Sequence, residues 1–159
     1  MPAMKREESQ ENKPRKVVVD TSVVISSVLG DAKAAPAKVL KAMYTKKFKA
    51  YSSEEAMDEL YDVLFSEKVT KLLKGGSEIL TLTYLFVNSS VVLVNPRKRI
   101  ALCRDPKDNK FLEIAYEAKA DCIVTLDRDL LDMRDKNKEA QVLEHKIKIL
   151  RPEEFLQEM

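Results

Sequence analysis

Several acidic side chains in this sequence follow directly on runs that are typical of buried strands. Asp20 comes after three valines at 17–19. Asp127 and Asp129 come after the apolar run at 122–125. The carboxyl ends of parallel strands share one edge of a sheet, and ligands bind there. We therefore expect Asp20 and Asp127 to meet, although Asp20 taken alone suits the N-cap of the next helix better.

Another acid, Asp108, stands at the start of a predicted helix and on its apolar side. Apolar residues recur at helical spacing between 111 and 118, and Asp108 lies one turn before the first of them. Asp108 is therefore a candidate site residue, with an N-cap as the alternative. Asp105, which precedes a proline, suits a turn that supports the site. Glu113 falls on the opposite helix face, where we expect it to be solvated.

The helix predicted to end near residue 65 carries two acids at the edges of its apolar face. Its core-facing side chains recur between 57 and 64, and Glu59 and Glu54 border them on either edge. Asp62 points away from this face. Periodicity does not choose between Glu54 and Glu59, and a solvated helix face is the simpler explanation for either one.

The predicted cluster of carboxylates implies a bound cation, because like charges in close contact repel one another. The single histidine, His145, argues against a histidine zinc site or a Ser-His-Asp triad. Cys103 and Cys122 lack the C-x-x-C spacing of a thiolate site. Oxygen ligands alone suit one or two Mg²⁺ or Mn²⁺ ions and hydrolysis without a side-chain nucleophile.

Strand and helix signals alternate along the chain, which predicts an α/β domain with a mainly parallel central sheet flanked by helices. We expect a disordered tail at 1–15, one domain at 16–159 and a charged loop at 132–141. The last strand is predicted to lie at the edge of the sheet. The predicted strands cover residues 17–19, 49–51, 91–94, 122–125 and 147–150.

Composition describes a protein with a dense charged surface, since 45% of the residues are hydrophobic and 34% are charged. No apolar run reaches the ~18 residues of a membrane span and no signal-peptide pattern is visible, so we expect a cytoplasmic protein without a membrane partner. The net charge is only +2, so contacts to a polyanion must be local. The candidates for phosphate contacts, with a solvated loop as the alternative, are Arg97, Lys98, Arg99 and Arg104.

Four segments together resemble the PIN-domain nucleases in the order and spacing of that family. They are V-V-V-D-T-S at 17–22, Glu59-Leu60 within 54–64, D-P-K-D-N-K-F-L-E-I-A at 105–115 and C-I-V-T-L-D-R-D-L-L at 122–131. The resemblance covers residues 16–151. The third segment is most similar to small prokaryotic PIN proteins proposed to be toxins of toxin–antitoxin pairs.

The resemblance implies a PIN-like three-layer fold and endoribonuclease activity that requires Mg²⁺ or Mn²⁺. The catalytic acids of the family fall on Asp20, Glu59, Asp108 and Asp127, which favours Glu59 over its rival on the same helix. Asp129 matches a further acid of some members, so Asp127 and Asp129 are both available as the fourth acid. The implied metal ligands are Asp20, Asp108, Asp127 and Asp129, and Ser22, Thr125 and Asp105 support them.

The partners expected from this resemblance are an RNA substrate, an antitoxin protein and a second copy of the chain. A module that binds RNA or protein without cutting is the competing hypothesis, and the presence of all four acids argues against it. A haloacid-dehalogenase-like phosphotransferase would need D-x-D-x-T, where this chain has Ser22, and a dinucleotide fold would need glycines after the first strand. The apolar residues that predict a homodimer, with burial in the core as the alternative, are Ile79, Leu80, Leu82, Leu85 and Phe86.

Overall fold

The computed structural model of the protein describes residues 13–159, so most of the predicted tail, residues 1–12, lies outside the described part of the chain. Arg15 is held in place before the first strand begins. Its carbonyl accepts a hydrogen bond of 2.8 Å from the amide of Lys49, and its guanidinium lies 3.2 Å from a carboxylate oxygen of Glu158. In the described residues, no helix is both long enough and apolar enough to cross a membrane.

Six strands form one sheet at the centre of the molecule. They are β1 (Lys16–Val19), β2 (Lys49–Ser52), β3 (Val91–Leu93), β4 (Cys122–Val124), β5 (Glu139–Val142) and β6 (His145–Leu150). The order across the sheet is β3-β2-β1-β4-β6-β5, and every neighbouring pair is parallel except β5 with β6. The predicted α/β class with a mainly parallel sheet flanked by helices is confirmed.

Helices connect the strands, and local sequence signals explain where several of them begin. Ser53 caps the third helix, since its hydroxyl accepts a hydrogen bond of 3.2 Å from the amide of Ala56. Pro36 lies in the first turn of the second helix, where its missing amide proton costs nothing. The helices are α1 (Thr21–Leu29), α2 (Ala35–Tyr44), α3 (Glu54–Leu64), α4 (Glu67–Leu72), α5 (Glu78–Ser90), α6 (Asn109–Ala118), α7 (Arg128–Leu131) and α8 (Pro152–Glu158), and a 3₁₀ turn covers Pro106–Asp108.

Two apolar clusters cover the two faces of the sheet, because successive side chains of a strand point to opposite sides. Val17 belongs to the cluster that contains helices α1, α2, α3 and α8. Val18 belongs to the cluster formed mainly by α6 and the β5–β6 hairpin. These two valines are 0% and 1% exposed, which explains the uninterrupted apolar character of β1. The sheet edge where β1 and β4 end is thus fixed from both sides.

The end of the sheet near the carboxyl terminus differs from the prediction. β6 was expected at the edge but lies between β4 and β5, and β5 occupies residues 139–142, of which 139–141 were expected in a loop. Ala140 and Val142 are buried, so β5 has the alternation of a half-buried edge strand. The turn that joins β5 to β6 places Leu143 at a φ of 54° without the glycine or asparagine that normally marks such a turn.

The short helix α8 closes one face of the sheet through a single aromatic side chain. Phe155 is fully buried, and its ring packs edge-on against Phe48 with 5.1 Å between the centroids. We expect Phe155→Ala to lower the free energy of unfolding by about 3–5 kcal/mol, because the cavity cannot be refilled by its neighbours. Leu102→Ala is the matched control, since Leu102 is an apolar residue that is 50% exposed. Urea unfolding should give a loss below about 1 kcal/mol for the control, and equal losses would contradict the docking of α8.

Candidate metal centre

Asp20 follows β1 directly and caps α1, so the N-cap position predicted for it also places it at the carboxyl ends of the strands. The amide of Ser22 donates to Asp20 Oδ1 over 3.4 Å, and the hydroxyl of Ser22 donates to Oδ2 over 2.9 Å. Thr125 Oγ1, at the end of β4, donates to the same Oδ2 over 2.5 Å. Burial raises the pKa of Asp20, while these hydrogen bonds act in the opposite direction.

The loop after β4 is tied to this edge by the same hydroxyl groups. The amide of Leu126 donates to Ser22 Oγ over 3.1 Å, and the amide of Asp127 donates to Thr125 Oγ1 over 2.9 Å. Asp127 in turn caps α7, because its Oδ1 accepts a hydrogen bond of 2.8 Å from the amide of Asp129. Ser22 and Thr125 therefore fix the relative positions of the acids that follow β1 and β4.

Asp108 is buried between these acids, with one oxygen unpaired. It is 7% exposed, and its Oδ2 has no hydrogen-bond partner among the described residues. It makes no side-chain capping bond to α6, so the alternative role as an N-cap finds no support. The pKa of Asp108 is raised to about 7, first by burial and then by the negative charges of Asp127 and Asp20. A side-chain hydrogen bond with Asp127 and the negative charge of Asp105 raise the pKa of Asp108 further.

Three acids bring one carboxylate oxygen each to within 4.8 Å of one another: Asp105, Asp108 and Asp129. Asp105 comes from the 3₁₀ turn, which it caps by accepting a hydrogen bond of 3.0 Å from the amide of Lys107. Asp105 therefore lies among the three converging acids, whereas only a supporting role was predicted for it. With Asp20 and Asp127 these residues form the acid cluster. An unpaired buried oxygen amid oxygen-only donors fits a hard divalent ion.

Glu59, by contrast, is held in an ion pair beside the acid cluster. Its Oε2 accepts a hydrogen bond of 2.7 Å from Thr21, the residue after Asp20. Its Oε1 accepts one of 2.8 Å from the ammonium of Lys110, which also donates to the carbonyl of Lys107 over 2.5 Å. Each oxygen accepts one hydrogen bond, and Glu59 does not belong to the group of three described acids whose oxygens lie close together.

Lys110 and Glu113 are two buried residues of α6 that helical periodicity did not reveal. Lys110 is 9% exposed, and Glu113, predicted to be solvated, is 6% exposed. That prediction was wrong because α6 is buried on nearly all sides, with every residue from 110 to 115 covered. Glu113 accepts a hydrogen bond of 2.9 Å from the amide of Ile100. The sequence signal for Lys110 was limited to a lysine directly before the apolar pair Phe111-Leu112.

The four basic residues predicted to contact phosphates have different neighbours in the structure. Arg97 pairs with Glu117 at 3.2 Å, and Arg99 lies 3.6 Å from Glu113. Lys98 is exposed beside Arg97 and lines a shallow cavity with it. Arg104 is the member of the four that contacts the acid cluster, through an ion pair with Asp129. The four basic residues of this loop therefore do not share one set of ion-pair partners.

Comparison with known proteins agrees with this geometry. The profile of the PIN domain matches residues 16–129, which include every acid of the acid cluster. The chain is also 36% identical over 143 residues to an uncharacterized protein, MJ1680, of Methanocaldococcus jannaschii, and the match covers 90% of each chain. Together the profile and the relative show that this chain belongs to the PIN domain family.

Proposed function

We propose that the protein is a metal-dependent endoribonuclease. The observation that carries the proposal is the buried Oδ2 of Asp108, which has no hydrogen-bond partner within residues 13–159 and lies in the acid cluster at the carboxyl ends of the parallel strands. PIN domains are in general metal-dependent nucleases, and that class of chemistry agrees with this site. RNA as the substrate, and a role as the toxin of a toxin–antitoxin pair, rest on the resemblance of the segment 105–115 to small prokaryotic PIN proteins.

The residues of the acid cluster have separate tasks in this proposal. Asp105, Asp108 and Asp129 would hold Mg²⁺ or Mn²⁺, with Asp20 and Asp127 completing its surroundings. When bound, such an ion supplies Lewis-acid activation of water and stabilises negative charge on a phosphodiester. Ser22 and Thr125 orient Asp20 through its Oδ2, so that its carboxylate cannot rotate away. Glu59 acts from the rim, where Lys110 fixes its direction.

A direct test of this function is RNA hydrolysis with and without a divalent ion. We expect cleavage with Mg²⁺ or Mn²⁺ and none in EDTA. Asp108→Asn and Asp20→Asn should lower the rate at least about 10²-fold, because each removes a carboxylate from the site. Asp62→Asn, on the exposed face of α3, is the control and should cleave like the parent. Cleavage that persists in EDTA would exclude the mechanism, and RNA binding without cleavage would favour the non-catalytic alternative.

The raised pKa of Asp108 makes a prediction about stability in the metal-free protein. The pKa of about 7 means that folded Asp108 keeps its proton up to about pH 7, whereas in the unfolded chain Asp108 loses it near its ordinary pKa of 3.8. The folded state therefore loses stability as the pH rises from about 4 to about 7. Asn carries no charge, so Asp108→Asn should be at least as stable as the parent at pH 8, and this advantage should vanish near pH 4.

Urea unfolding of the metal-free parent and variant across this pH range measures the difference. Added Mg²⁺ at ten times its dissociation constant should stabilise the parent by about 1.4 kcal/mol and the variant much less. A variant that is less stable than the parent at every pH, and that responds to Mg²⁺ like the parent, would show that Asp108 has only a structural role.

We also propose that the protein forms a homodimer, and the exposed apolar face of α5 supports this proposal. Four of the five residues that suggested it are exposed by 44% to 55%, whereas Leu80 is 1% exposed and belongs to the core. Tyr61 on α3, whose ring packs on Tyr84 of α5, is a further exposed apolar side chain at 51%. Exposed apolar surface of this kind is typical of protein interfaces. The exposed members of the predicted stripe are Ile79, Leu82, Leu85 and Phe86.

We expect light scattering to give the mass of a dimer at micromolar concentration for the parent. Leu85→Glu should give a monomer, because it places a charge in the middle of the apolar face. Leu143→Glu, which changes a side chain of similar exposure in the β5–β6 turn, should remain a dimer. A monomeric parent would count against the interface.

A further inference from the structure

The guanidinium of Arg104 neutralises one of the three acids that are placed to hold a metal ion. Its Nε donates to Asp129 Oδ1 over 2.7 Å, and a terminal nitrogen contacts the same oxygen. A carboxylate oxygen of Asp132 lies 3.7 Å away on the outer side. Both contacts are made to the same oxygen of Asp129. Asp129 is one of the three acids whose carboxylate oxygens lie within 4.8 Å of one another. An internal cation therefore already sits against the acid cluster.

The backbone around Arg104 is fixed by hydrogen bonds, whereas most of its side chain is exposed to water. On one side, the amide of Cys103 donates to the side-chain oxygen of Asn109 over 2.8 Å. On the other side, Asp105 caps the 3₁₀ turn. The side chain of Arg104 itself is 71% exposed, so water surrounds most of the guanidinium. It can rotate off Asp129 without any change in the backbone.

We propose that Arg104 is a counter-ion that the divalent metal displaces from Asp129, and that the released guanidinium then binds a phosphate of the RNA next to the cleaved bond. The inference rests on the proposed function. A metal ion and a guanidinium on the same carboxylate weaken one another, because the two cations repel each other and share one negative charge. Once released, arginine offers several donors in one plane, which is the geometry that phosphate oxygens accept.

The neighbouring arginines do not have this arrangement. Arg97 is paired with Glu117, and Arg99 with Glu113 and Glu55, none of which belongs to the acid cluster. A metal ion at the acid cluster would leave those pairs intact. Arg104 is thus the basic residue of this loop whose pairing depends on whether the metal is present. Displacement of Arg104 from Asp129 by the metal would therefore couple metal binding to RNA binding through one side chain.

The first test measures Mn²⁺ binding by calorimetry in the absence of RNA. Arg104→Gln should bind Mn²⁺ about two- to fivefold more tightly than the parent, because its competitor at Asp129 is gone; fivefold corresponds to about 1 kcal/mol, the upper range for an exposed ion pair. Lys71→Gln removes the same charge from an exposed pair on α4 and should bind Mn²⁺ like the parent.

A lysine variant separates direct competition from a general effect of charge. Arg104→Lys keeps the positive charge but lacks the two adjacent donors that hold Asp129 Oδ1. We expect its Mn²⁺ affinity to fall between those of the parent and Arg104→Gln. If the affinity depended on net charge alone, Arg104→Lys would match the parent, and that result would overturn the displacement.

The second test measures RNA cleavage at saturating Mn²⁺. Arg104→Gln should raise KM about tenfold, and the dependence of log(1/KM) on log salt concentration should become shallower by about one. The variant therefore binds metal better and RNA worse, a pair of opposite effects that a merely structural role does not produce. An unchanged Mn²⁺ affinity or an unchanged KM would overturn the inference. A parent that neither binds Mn²⁺ nor cleaves RNA would instead overturn the proposed function.

Discussion

Mutual repulsion between buried carboxylates is the constraint that organises this protein. Asp20 and Asp108 are both nearly inaccessible to water, and each carries a raised pKa because burial disfavours its charged form. Negative charge from Asp127 adds to the effect on both. Such a group can be assembled only if the backbone holds the side chains together against this repulsion. The rest of the fold can be understood as the framework that does so.

Caps and hydroxyl groups supply most of that framework. Asp20, Asp105 and Asp127 each cap a helix or a 3₁₀ turn, so the same carboxylate that faces the site also accepts a backbone hydrogen bond. Helix N-termini favour negative charge, which partly offsets the repulsion. Ser22 and Thr125 link the ends of β1 and β4 through Asp20. Structural and functional roles of these acids are therefore not alternatives, although sequence patterns alone present them as such.

The parts of the structure that could be predicted are those with a strong local signal. The valines of β1 indicated a buried strand, and the acid that follows them indicated the carboxyl ends of the strands as the place of the site. β5 was missed because its turn at Leu143 lacks the usual turn residues and its strand is short and half polar. Helical periodicity did not predict the burial of Lys110 and Glu113, because α6 is covered on nearly all sides and has no single buried face. The Glu59–Lys110 pair could not be predicted, because it depends on how α3 packs against α6.

The position of β1 and β4 in the middle of the sheet has a consequence for exchange of their amide protons. Each of these strands is hydrogen-bonded to a neighbour on both sides, and the amide of Asp20 itself donates to the carbonyl of Val124 over 3.0 Å. Amides in such strands commonly exchange with solvent through opening of the whole domain. We therefore expect the backbone that carries Asp20 to be among the slowest-exchanging parts of the molecule. Relief of the charge repulsion must come from a proton or an ion that enters, since these strands cannot move apart while the protein stays folded.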